Sequence, residues 1–92
     1  MSKTLKNIKK FINYLPSKDV QIGFKFLEQR DFNKLKELVD SALIRTKRNL
    51  KTDNPKQEYL NVDLDSLNIL KAEVDIYVFQ LNLPEQKENN NE

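Results

Sequence analysis

Between Asp31 and Leu50, the side chains suited to a core fall at Phe32, Leu35, Val39, Ala42 and Thr46. Steps of three and four residues bring all five onto one side of an α-helix and scatter them across both faces of a strand. The stretch is therefore predicted as a helix over residues 31–50, flanked by Leu38 and Leu43, with Asp31 as its N-cap. Arg45, Lys47, Arg48 and Lys51 gather in its last turns, where cations complement the carbonyl end of the helix dipole. Asp53-Asn54-Pro55 then supplies a turn.

The remaining segments extend an all-α reading. Residues 2–15 form an amphipathic helix on Leu5, Ile8, Ile12 and Leu15, with Ser2 as N-cap and Pro16 as the stop. It is either docked or mobile. Residues 17–29 make a second helix with Ser17 as N-cap and Asp19 in the first turn. Val20, Phe24 and Leu27 form one face of it, and Ile22 and Phe26 lie to the other sides. Gly23, the sole glycine, costs this helix about 1 kcal/mol relative to alanine and either marks close approach of another backbone or is tolerated without a role. Residues 51–62 read as a polar connection. A last helix over 63–82 starts at Asp63, with Val62 able to pack on Leu67 as a hydrophobic staple.

That last helix carries an internal conflict. Leu67, Leu70, Val74, Tyr77 and Leu81 give a helical stripe, widened by Leu64 and Val78. Val74, Ile76 and Val78 also alternate with Asp75, Tyr77 and Phe79, which is a strand pattern. No second strand is evident for it to pair with, so helix is the expectation. From Pro84 onward the polar and acidic residues have nothing to bury and read as a disordered tail, leaving residues 1–83 as one helical domain. The expected fold is an all-α bundle of three or four helices built on an antiparallel hairpin 17–50, crossed by helix 63–82. A chain this short buries only about 60–65% of its unfolded surface, so its core is thin.

Several chemistries are excluded by residue type. There is no cysteine and no histidine, which removes disulfides, zinc–thiolate sites, thiol nucleophiles and the usual general base. A single glycine cannot build a phosphate-binding loop. Asp63 and Asp65 sit at a helix start, where the dipole accounts for them. Glu73 and Asp75 diverge by about 200° around a helix and cannot share a metal ion without further ligands. No catalytic residue, metal or cofactor is expected, and no small-molecule substrate is evident. No apolar run reaches the roughly 18–20 residues of a membrane span. Lys6, Lys9 and Lys10 interrupt the apolar residues near the N-terminus, so no signal peptide is read there. The expected location is cytoplasmic or virion-associated.

Charge is sorted along the chain. Residues 1–56 hold fourteen Lys/Arg against six Asp/Glu, whereas residues 57–92 hold two against eight. Such asymmetry speaks to association, either with a protein partner, with a second copy, or internally between the acidic last helix and the basic hairpin. Lys3, Lys6, Lys9, Lys10, Arg45, Lys47, Arg48 and Lys51 are the candidate interaction surface. They form one phosphate-contacting face only if the first and third helices lie side by side.

Residues 22–43 resemble one tetratricopeptide helical hairpin. The family's Leu-Gly-x-x-Tyr is echoed by Ile22-Gly23-Phe24-Lys25-Phe26, its Gly-Asp-Tyr turn by Arg30-Asp31-Phe32, and its Ala-Leu by Ala42-Leu43. Asp19, Leu35 and Lys47 depart from the pattern, and no second copy follows. The resemblance implies a turn near residue 30, with Gly23, Phe26 and Phe32 in the helix–helix contacts. Asp31-Phe32-Asn33-Lys34-Leu35-Lys36-Glu37-Leu38-Val39 and Leu67-Asn68-Ile69-Leu70-Lys71-Ala72-Glu73-Val74 further resemble small accessory proteins of tailed, crAss-like bacteriophages, which implies a capsid- or virion-associated role. Three expectations follow, in order: a non-enzymatic structural or interaction protein, a basic nucleic-acid-associated regulator, and a peptide-binding hairpin adaptor.

Overall fold

The structure, a computed structural model, describes residues 3–60 and 62–82. Its described residues form five helices and no strand: α1 (Lys3–Ile12), α2 (Ser17–Glu28), α3 (Phe32–Leu50), α4 (Gln57–Leu60) and α5 (Leu64–Leu81). The expected cap Ser2 and the expected tail 84–92 lie outside the described residues.

The helices close a ring. α1 packs against α2 and α5, and α3 packs against the same two, so α1 and α3 occupy opposite corners. The α2–α3 hairpin is antiparallel, because Asp19 near the start of α2 meets Arg45 near the end of α3. Lys36 with Asp75 and Asp40 with Lys71 set α3 antiparallel to α5. The core follows the stripes. Ile8 and Ile12 of α1, Leu35, Val39 and Ala42 of α3, and Leu67, Leu70 and Val74 of α5 are fully buried. Each large aliphatic side chain so buried stabilises the fold by about 1.5–3 kcal/mol. Thr46 shares that core, and its hydroxyl has no hydrogen-bond partner among the described residues.

Local chemistry explains the ends. α1 stops at Ile12 and not at 15, because the residue before Pro16 is driven out of helical geometry. Tyr14 and Leu15 instead donate backbone bonds to Phe11 and Ile12 in tight turns, and Leu15 still reaches the core. Pro16, with extended φ −51 and ψ 144, holds the N-cap position of α2 that was expected for Ser17, and no side chain caps that end. α2 closes with Arg30 at φ 59, the left-handed position usually given to glycine. Its N–H donates to the Leu27 carbonyl at 3.0 Å and that of Asp31 to the Phe26 carbonyl at 2.9 Å, the paired bonds of a Schellman turn. Asp31 caps α3 by accepting from the Lys34 N–H at 3.2 Å. Asp63 caps α5 by accepting from the Asp65 N–H at 3.1 Å and the Ser66 hydroxyl at 2.8 Å.

Three expectations are corrected or decided here. The connection 51–62 is not featureless: Asn49 Oδ1 accepts the Lys56 N–H at 2.6 Å and starts the single turn α4, which buries Tyr59. Residues 74–79 are helical. Leu81, placed in the core stripe from its spacing, is 54% exposed, because the α2–α3 turn beside it offers mainly polar groups such as Arg30 and Asn33.

Gly23 shows why its position is small. A Cβ built there would lie 3.1 Å from Ile12 Cγ2, 3.1 Å from Leu15 Cδ1 and 3.6 Å from Leu38 Cδ2, so side chains, and not the other backbone that was expected, come nearest. Gly23→Ala should stay within about 1 kcal/mol of the parent, its gain in helix propensity offsetting a contact that flexible side-chain ends can yield to. Gly23→Leu should lose about 1–3 kcal/mol in urea unfolding through overpacking. A leucine variant as stable as the parent would refute this packing.

Candidate interaction surface

The eight cations expected to form one surface divide into three kinds. Lys3, Lys6, Lys9 and Lys10 are exposed on α1, with Lys10 Nζ 5.7 Å from the centroid of the Phe11 ring. Lys47, Arg48 and Lys51 are exposed at the end of α3. Those two sets belong to opposite corners of the ring, so the juxtaposition required for a single basic face is not made.

Arg45 is different in kind, because it is consumed inside the molecule. Its Nη2 donates to Asp19 Oδ2 at 2.8 Å, Nη1 to the Tyr59 hydroxyl at 3.2 Å, and Nε to the Ser41 hydroxyl at 3.1 Å. Asp19 is only 7% exposed, and Arg45 is the cation that pairs with it. Burial acts against the charged guanidinium, but the bonds to Asp19 and Tyr59 outweigh it and hold Arg45 above its ordinary range. One side chain thereby ties α2, α3 and α4 together. Nothing in the spacing of Asp19 and Tyr59 announced this; Asp19 had a sufficient local role at a helix start.

The residues expected in helix contacts are placed as follows. Gly23 faces α1 and Leu38 of α3. Phe26 is half-buried against the core and borders a shallow groove between α2 and α3 with Ile22 and Leu38. Phe32 is buried against Tyr77 of α5, ring centroids 4.7 Å apart and tilted by 54°. A second groove, about 500 Å³, lies between the α1–α2 turn and α4. Its lining carboxylate Glu58 is paired with Lys18 at 3.3 Å. Among the described residues no cluster of carboxylates is grouped to hold a metal ion, and no helix is long and apolar enough to cross a membrane.

A further surface, not expected from the sequence, lies on α5. Opposite its buried stripe, Asp65, Ile69, Ala72, Ile76 and Phe79 are all exposed and recur at steps of four and three residues. Ile69 is 45%, Ile76 46% and Phe79 63% exposed. This is the heptad spacing of a helix–helix seam. The signal was present as the strand-like alternation at 74–79: Val74 and Val78 point to the core, while Ile76 and Phe79 point outward. On either side stand polar residues. Glu73 accepts the Asn7 amide at 2.7 Å, joining α5 to α1. Asp75 is shared by Lys36 at 3.5 Å and Lys71 at 3.6 Å, and Lys71 also meets Asp40 at 3.0 Å. The bond to Asp40 chiefly pushes Lys71 above the ordinary lysine range, partly opposed by burial and helped by the Asp40 and Asp75 charges.

No protein-family model, curated protein or solved structure matches this chain.

Two outcomes test these assignments. Arg45→Met should cost about 1–3 kcal/mol in chemical unfolding, because it strands a buried carboxylate. Lys47→Met and Arg48→Met should stay within about 0.5 kcal/mol. Lys71 carries a raised folded-state pKa, so its contribution is fully present below the ordinary lysine value of about 10.4 and is lost as pH rises through the folded-state value. The deficit of Lys71→Met relative to the parent should therefore be constant from about pH 7 to 9 and shrink above about pH 10.4, read as unfolding midpoints.

Proposed function

We propose that this chain is a non-enzymatic interaction protein, an accessory subunit that joins a larger assembly through the outer face of α5. The observation that carries the reading is the seam of Ile69, Ile76 and Phe79, at heptad spacing on a helix whose opposite face is already committed to the core. Isolated exposed apolar residues are ordinary on a protein surface; an aligned row on one helix is an interaction feature. A small domain with a thin core has reason to add burial by association. The assembly to which the resemblance in residues 31–39 and 67–74 points is a bacteriophage virion.

Nucleic-acid binding is the less supported reading. Arg45 is engaged internally and α1 is not packed along α3, which leaves the four α1 lysines as a separate phosphate-contacting set. Such a set predicts a shallow salt dependence of binding.

The tagged chain, used as bait in the cells or particles that contain it, should retain a discrete partner. The paired substitution Ile76→Ser and Phe79→Ser should release that partner without lowering the thermal midpoint. Retention of the same partner by the variant would sink the reading. Salt-dependent binding to duplex DNA that disappears when Lys3, Lys6, Lys9 and Lys10 are neutralised would replace it with the nucleic-acid one.

A further inference from the structure

The chemistry around the α5 seam also restricts what can cover it. Asp65 stands in line with Ile69, Ala72, Ile76 and Phe79, at the N-terminal end of the row, and is exposed. Glu73 borders the row, its carboxylate receiving the neutral Asn7 amide. Among the described residues neither acid has an ion-pair partner, whereas Asp75 on the other border is held by Lys36 and Lys71. The seam thus presents three large apolar side chains and two carboxylates without an ion-pair partner among the described residues.

Magnitudes say the apolar part is marginal. Covering these three half-exposed side chains and a matching row on the partner contributes on the order of 6 kcal/mol. Association costs about 4–15 kcal/mol in lost translational and rotational freedom, so further contacts decide whether the complex is stable. Self-pairing supplies the wrong ones. A second copy laid antiparallel matches Ile69 to Phe79 and Ala72 to Ile76, but sets the Glu73 of each copy beside the other. A parallel copy sets Asp65 against Asp65 inside the seam. Like charges so placed oppose association.

We infer that the α5 seam takes an amphipathic helix of a different protein, with apolar residues at heptad spacing and lysine or arginine beside them, placed to meet Asp65 and Glu73. This rests on the proposed docking through α5 and names the chemistry of the partner. The partner helix lies along α5, its apolar row on Ile69, Ile76 and Phe79, its cations supplying the contacts that the apolar area lacks.

The test uses the full chain and two labelled designed peptides of about three heptads, both with leucine at the seam positions, one flanked by lysine and the other by glutamate. The lysine-flanked peptide should bind at least about tenfold more tightly in fluorescence anisotropy. Asp65→Asn combined with Glu73→Gln should weaken it about fivefold at low salt, and added salt should do the same. Phe79→Ser should weaken it at least about tenfold with the thermal midpoint unchanged. Failure of the parent to bind the lysine-flanked peptide, equal affinity for the two peptides, or indifference to the paired acid substitutions overturns the basic partner. So does a chain that dimerises alone through Phe79 in sedimentation. In each of those cases docking through α5 is judged separately, by whether the Ile76→Ser, Phe79→Ser variant releases the natural partner. Unchanged binding of the lysine-flanked peptide by Phe79→Ser overturns the seam itself.

Discussion

The burial of one stripe on α5 is the contact on which the rest of the fold depends. Leu67, Leu70 and Val74 are fully enclosed, and both α1 and α3 pack against the helix that carries them. Neither the α2–α3 hairpin nor the first helix has enough apolar surface alone, since a chain of this size works close to the limit of a useful core. Placing α5 between α1 and α3 lets the same residues serve both neighbours. α3 and α5 are joined along this contact by the alternating set Lys36, Asp75, Lys71 and Asp40, in which only Lys36–Asp75 pairs a cation of the basic early part with an acid of the late part. These partly exposed pairs register the helices more than they stabilise them.

That arrangement spends one face of α5 and leaves the other. Most small helical domains turn a polar face to solvent; this one turns Ile69, Ile76 and Phe79 outward on its last helix. The aligned row left outward on α5 is the physical content of the proposed role as an accessory subunit. The Arg45 network supports the opposite end of the ring. By joining Asp19, Ser41 and Tyr59 it closes the region where the α3–α5 connection crosses back.

Much of the architecture was legible because local rules and global packing agree. The stripe from Phe32 to Thr46 is buried as spaced, and Asp31 and Asp63 cap the helices they precede. The disagreements have local causes. Ser17 gives its capping place to Pro16, α1 unwinds ahead of that proline, and Leu81 meets a polar turn where spacing implied core. The candidate surface was far less legible. Eight cations of similar appearance were grouped by sequence position, whereas their fates differ: one is bonded internally, and the others stand at opposite corners. The row that faces outward on α5 was visible only as an alternation resembling a strand, the trace of a helix apolar on two sides.

From its sequence alone this chain was determined to be helical, to turn near residue 30, and to lack thiol, imidazole and glycine-loop chemistry. Those properties follow from residue type and from spacing along one helix, which the chain encodes locally. Only the tertiary structure decided which apolar stripe of α5 became core and which remained a surface. It also decided which arginine became a structural cross-link, and whether two basic segments share a face. Those outcomes depend on which helices become neighbours in the ring, a relation between distant segments that no periodicity within one of them expresses.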